Sequence, residues 1–234
     1  MKTPLLLAGL ALAFTGSAYA GTAIISITYS DLSGNYTASS ASTGTFSAHA
    51  IDLPGILRSA GDVSRLITPN GNADFQPGFV SGADLSDFAM SIAVTHTGTS
   101  GTGAGTFTAT DADGDTITGS MSGTWGLQGT FLAFQGVLSN VVIHDNGTLD
   151  HTFNGSNTGS WDTSNFPTTS PYDGAVVHLT ERADSFFATN WTNAATGVTA
   201  QVTAAVTVPL PPGGLAGLGT LSGALGLSLV RRRR

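Results

Sequence analysis

Cysteine is absent from the 234-residue chain. With it go every disulfide framework, thiolate metal site and cysteine nucleophile. Charge is also scarce, at 10% of residues, and basic charge scarcest of all. Lys2 and Arg231 to Arg234 sit at the two ends, leaving Arg58, Arg65 and Arg182 between them. Against those three stand fifteen carboxylates, a net charge of −12 for the interior, and Glu181 is the single glutamate. A surface so short of cations repels phosphates, which excludes nucleic acid as a partner. It suits cations or neutral ligands, and it also serves solubility. Without disulfides, stability has to come from burial alone, and a chain of this length can supply it.

What is present points to strands. Hydrophobic residues make up 41% of the chain, and there are 31 glycines among many Thr, Ser and Ala. Thr, Val, Ile and Phe favour strands, while Gly serves the turns between them. The low charge argues against a solvated disordered chain.

The ends carry the sharpest signals. Met1-Lys2-Thr3-Pro4, an apolar run from Leu5 to Phe14, and Ala18-Tyr19-Ala20 form the three parts of a secretory signal. Signal peptidase needs small side chains at alternating positions, so cleavage is expected between Ala20 and Gly21. At the other end, Val208-Pro209-Leu210-Pro211-Pro212 and Gly213-Gly214 precede an uncharged run from Leu215 to Val230. Arg231, Arg232, Arg233 and Arg234 close the chain. As a helix, the run from Leu215 would span about 24 Å, so flanking residues and arginine snorkelling complete a membrane crossing. The arginines hold their end inside the cell and leave the large domain outside. Gly219 and Gly223, four apart, either admit a second helix closely or simply moderate hydrophobicity.

This tail resembles the PEP-CTERM class of sorting signals, in its VPLPA-CTERM variant. Val208, Pro209, Leu210 and Pro211 match the variant, and Pro212 stands where it has alanine. The resemblance covers residues 208–234. It implies an exosortase as partner, transient residence in the inner membrane, and an association with exopolysaccharide and biofilm. The prolines also make physical sense, since they hold the backbone extended and accessible to an enzyme.

Between the ends, residues 21–207 read as one β-rich domain. Phe88, Met90, Ile92 and Val94 alternate with small or polar residues, as do Val198, Ala200, Val202, Ala204, Val206 and Val208. Gly-Thr-Phe recurs at Gly44, Gly105 and Gly129, which suggests recurrent strand starts. The segments Gly119 to Trp125 and Gly155 to Trp161 echo one another, each after an Asp113-Gly114 or Asn146-Gly147 turn signal. They predict two related hairpins. A short helix is expected within Asp52 to Leu66, broken early by Pro54-Gly55. The fold expected is all-β, a single β-sandwich of jelly-roll type.

Candidate chemistry is sparse. Asp111, Asp113 and Asp115 place three carboxylates at alternate positions in a turn, an arrangement that calcium could use. The Thr110 to Thr116 stretch resembles the calcium segment of bacterial cadherin-like repeats. A hairpin turn with solvated acids is the favoured reading of the same residues. His144-Asp145 and Asp150-His151 flank the Asn146-Gly147 turn and could converge there. Trp125 and Trp161 are candidate sugar contacts, as are Trp191, Tyr29, Tyr36 and Tyr172, although aromatics in a β-sandwich more often fill the core. Glu181 with Asp173 or Asp184 would make a glycosidase-like pair. No nucleophile elbow, P-loop or zincin motif occurs, so no catalytic residue is assigned. The functional expectation is a non-enzymatic exported surface or matrix protein that needs no cofactor. The alternatives are a calcium-assisted carbohydrate-binding module and a secreted hydrolase.

Overall fold

The computed structural model describes residues 21–207, except 56, 77–78, 81–84, 129–130, 147, 165, 167–178, 183–186 and 188–190. The predicted signal and cleavage residues Ala18 and Ala20 therefore lie outside the described residues. So do the sorting motif Val208 to Pro212, the tail helix and Arg231 to Arg234. Among the described residues there is no helix, so none is long and apolar enough to cross a membrane.

Sixteen strands run through the described part. The first eight are β1 (Gly21–Ala38), β2 (Thr43–His49), β3 (Asp52–Leu53), β4 (Leu57–Arg58), β5 (Ala60–Arg65), β6 (Gly71–Phe75), β7 (Phe79–Val80) and β8 (Leu85–Ser86). Next come β9 (Phe88–Thr97), β10 (Ser100–Thr110), β11 (Thr116–Gln128) and β12 (Phe131–His144). The last four are β13 (Thr152–Asn154), β14 (Ser160–Asp162), β15 (Leu179–Arg182) and β16 (Trp191–Thr207). Every pairing is antiparallel. One ten-stranded sheet runs in the order β15-β12-β11-β10-β9-β2-β1-β5-β6, with β16 also on β1. It curls as a half-barrel, and β15 returns to lie beside β16. Residues 21–207 form one compact unit with its own core.

Strand β1 explains the curl. It pairs with β16 over nearly its whole length, with β5 through Ile25 to Ser30, and with β2 through Ser33 to Ala38. Between those halves the register with β16 shifts, and Asp31 takes a left-handed conformation at φ 56°. Aspartate tolerates that region better than most side chains. The irregularity changes which parity faces inward: Ile25, Ile27 and Tyr29 are buried before it, Leu32 and Tyr36 after it. Buried Ser59 fastens the bend. Its hydroxyl donates to the Asp31 carbonyl at 2.8 Å and accepts the Ile51 N–H at 2.9 Å.

Each half of β1 carries one tyrosine into one aromatic cluster. Tyr29 stacks on Phe88 at 4.8 Å and meets Phe75 at 6.1 Å, and Phe75 leads on to Phe153 and Trp161. The Tyr29 ring lies flat over Gly61 on β5, where any Cβ would collide with it. Tyr36 meets Phe187 and His96 edge-on, and Phe187 in turn contacts Trp125. Large rings thus sit where neighbouring strands offer only hydrogen.

The alternating runs at Phe88 to Val94 and Val198 to Ala204 are strand faces buried as their periodicity predicts. Three expectations need correction. Asp52 to Leu66 holds no helix: Pro54-Gly55 turns β3 into β4, with Gly55 at φ +80° and the Arg58–Asp52 ion pair across them, and β5 follows. The two echoing segments are not equivalent, because Gly119 to Trp125 is strand throughout whereas Gly155 to Gly159 is the turn between β13 and β14. The Gly-Thr-Phe at Gly105 lies in mid-strand rather than at a start, and Gly129 lies outside the described residues.

One core group is chemically out of place. Asp87, just before β9, is fully buried, and neither carboxyl oxygen makes a hydrogen bond of ordinary geometry. The Tyr29 hydroxyl donates instead to the Asp87 backbone carbonyl, at 3.5 Å. Burial pushes the Asp87 carboxyl up from 3.8 to about 7, against a smaller opposing pull from the Tyr29 hydroxyl. The folded state therefore holds a proton that the unfolded chain releases near pH 4. The stability that this group contributes is full below about pH 4, is lost as pH rises to about 7, and stays lost beyond. The fall amounts to about 4 kcal/mol at 1.36 kcal/mol per unit. Asp87→Asn should remove most of this slope in urea titrations from pH 4 to 8, and an unchanged slope would assign it to another group.

Candidate functional site

The richest polar cluster surrounds the five-residue loop that joins β10 to β11. Asp111 N–H donates to the Asp115 carbonyl at 2.9 Å, and Gly114 at φ +97° lets the chain reverse. The Asp111 side chain organises the loop from inside. One carboxylate oxygen accepts the N–H groups of Asp113 and Asp115 at 2.9 and 2.8 Å. The other accepts the N–H of Asn154, on β13, at 2.8 Å. Ala112 N–H and the Asn154 carbonyl add a bond at 3.0 Å, and Asn154 Nδ2 donates to Asp113 at 2.7 Å. Burial raises the Asp111 pKa, partly offset by these three N–H groups.

Asp111 and Asp113 are thus committed to holding β13 against the β10–β11 turn. Asp115 turns the other way, where its Oδ1 accepts the N–H of Asn146 at 2.7 Å. Asp111, Asp113 and Asp115 are not gathered around one point. The carboxylates that do converge are Asp115, Asp145 and Asp150, with ligand oxygens all within 4.8 Å of one another. They come from the β10–β11 turn and from the segment after β12. Asp115 is buried, Asp145 half-buried and Asp150 exposed. His151 Nδ1 lies 2.8 Å from Asp145 Oδ2, and its N–H donates to the same oxygen at 3.2 Å. Of His144, Asp145, Asp150 and His151, the last three come together, His151 through Asp145, while His144 is not among the converging groups and Gly147 lies outside the described residues. Beside it lies a cleft of about 250 Å³ walled by Ile143, Asp145, His151, Thr163, Ser164 and Phe166. Three carboxylate oxygens are donors of the type calcium prefers. What sequence order hides is that Asp115 faces residues thirty positions away rather than its neighbours in the motif.

The aromatic candidates have gone inside. Trp125 is 2% exposed, packed among Phe46, Phe134 and Phe187 over Gly103, where a Cβ would stand 3.0 Å from the indole nitrogen. Trp161 is 4% exposed and donates its indole N–H to the Val63 carbonyl at 2.9 Å. A sugar needs a ring face open to solvent, and neither tryptophan offers one, so both are corrected from sugar contacts to core residues. Tyr29 and Tyr36 are buried as well. Arg65 is likewise structural: it donates to the carbonyls of Asp162 and Ile67 and lies 4.9 Å from the Phe166 ring. Trp191 opens β16 and Glu181 lies in β15, while Tyr172, Asp173 and Asp184 lie outside the described residues.

Asp111→Ala would leave three backbone N–H groups without their acceptor. At about 1 kcal/mol or more for each, the variant should lose about 3 kcal/mol. Urea denaturation measures this, and a loss under 1 kcal/mol would show that the loop does not depend on the carboxylate. Comparison with known protein families, with curated proteins and with solved structures finds no match for this chain.

Proposed function

We propose that this is an exported bacterial surface or matrix protein, released from an inner-membrane intermediate by sorting of its tail and associated with exopolysaccharide. One observation carries the reading. Residues Gly21–Thr207 form a compact unit of their own, and the two predicted processing segments, Met1–Ala20 and Val208–Arg234, fall outside it. Gly21 and Thr207 are paired with each other. Signal peptidase and an exosortase are the partners this assigns. The architecture fits a jelly-roll-like sandwich, supported by the two limbs that diverge from β1. Protein recovered from the cell surface should lack both Met1 to Ala20 and Arg231 to Arg234 by intact-mass spectrometry. An unprocessed C-terminus would sink the sorting proposal and leave a simple membrane anchor.

A second reading, calcium-assisted carbohydrate binding, is favoured by the convergence of Asp115, Asp145 and Asp150. Calcium held there would tie the β10–β11 turn to the segment after β12. Excess calcium should then raise the melting temperature of Gly21–Thr207, by about 5 °C at a hundredfold excess over its dissociation constant. Asp145→Asn should abolish that shift. A melting curve indifferent to calcium and chelator rules the site out.

A further inference from the structure

Strands β2, β9, β10, β11 and β12 contain no aspartate, glutamate, lysine or arginine, although residues 21–207 carry −12 overall. Their inward positions hold the apolar core. The outward positions of β2, β9, β10 and β11 hold almost only Ser, Thr and Ala, aligned across the sheet by register, and on β12 the rows continue into Gln135, Val137 and Ser139. One row runs Thr43, Thr95, Thr102, Thr124. The next runs Thr45, Ala93, Ala104, Ser122. A third runs Ser47, Ser91, Thr106, Ser120. Strands stand about 4.8 Å apart and same-face side chains about 6.7 Å apart, so the hydroxyls form a two-dimensional grid. Each hydroxyl both donates and accepts. A shallow groove of about 650 Å³ crosses the rows, lined by Thr43, Thr45, Thr95, Thr102, Ala104 and Ser122 among others. That volume falls within the range of small-molecule and oligomer-segment sites, roughly 300–1,000 Å³.

The chemistry of the face selects its partner. It holds no cation for a uronate, sulfate or phosphate, and the surrounding charge of −12 repels such polymers. It holds no carboxylate for a metal. Three rows across four strands cover a few hundred Å² at most, below the roughly 800 Å² per partner that a stable dimer needs. A long neutral polymer has no such requirement, because repeated weak contacts along one chain add by avidity. We propose that the outer face of β2, β9, β10 and β11 binds a neutral, hydroxyl-rich polysaccharide chain lying in this groove. The proposal rests on the surface-matrix reading for the class of polymer, and it moves sugar recognition from the buried tryptophans to the hydroxyl rows.

The test uses purified Gly21–Thr207 with microcrystalline cellulose and neutral dextran as probes, and alginate as the acidic comparison. Retention is expected on a neutral probe and not on alginate. Ala104→Glu, exposed at the groove's centre, should weaken it at least tenfold. The double variant Thr95→Val with Thr102→Val keeps strand shape and neutrality while removing two hydroxyls, so it should weaken retention even if Ala104→Glu folds poorly. Thr148→Glu, exposed outside the sheet, should leave retention unchanged. The proposal is overturned if wild-type protein binds neither neutral probe, or if both groove variants bind as wild type does. It is also overturned if sedimentation shows a dimer that Ala104→Glu dissociates, which would make the face a contact between copies. Surface protein that is correctly processed yet not retained would remove the groove alone. Retention by protein that is never processed would remove the sorting reading alone.

Discussion

The fold hangs on the pairing of its first strand with its last. Strand β1 is hydrogen-bonded to β16 along one edge and to both β5 and β2 along the other. The two limbs of the sheet meet nowhere else with comparable continuity. Each limb also takes its aromatic cluster from β1, through Tyr29 on one side of the bend and Tyr36 on the other. Contacts between strands so far apart in sequence close a long loop before they return any stabilisation, so such a ladder forms late and cooperatively. A chain that emerges from its N-terminus can complete this ladder only once Thr207 has emerged.

Much of this was legible in the residues and some was not, for identifiable reasons. The alternation from Phe88 to Val94 and from Val198 to Ala204 translated directly into buried faces, because those strands run without irregularity. In β1 the same rule fails at Asp31, where the change of register exchanges the inward and outward parities, and no composition signal marks it. The echo between Gly119 to Trp125 and Gly155 to Trp161 misled because like residues serve different ends. In β11 the glycines make room for rings, as Gly119 does for Phe107. In the second copy, Gly159 at φ +80° makes a turn. The tryptophan that ends each copy is buried in both.

The acidic loop shows a similar division. Spacing identified Asp111, Asp113 and Asp115 as a turn, and a turn is what they make. Their roles could not be read from spacing, because they depend on two distant segments. Asn154 claims Asp111 and Asp113, whereas Asn146 and its neighbours claim Asp115. The plainer alternative, a hairpin turn with solvated acids, holds for the turn and for exposed Asp113, whereas Asp111 and Asp115 are buried. The convergence that matters for a cation involves Asp145 and Asp150, which only the fold brings to Asp115.

The sequence beyond Thr207 is poor in the groups that a ladder needs. A β-ladder needs an N–H from its strand at alternate residues, and Pro209, Pro211 and Pro212 have none. Prolines so closely spaced favour an extended segment without ladder bonds, which is the expectation on which the sorting proposal rests. On the opposite strand, Gly21 is the partner of Thr207. The two ends of the described domain thus meet at one rung of one ladder, and no described pairing needs a residue outside Gly21–Thr207.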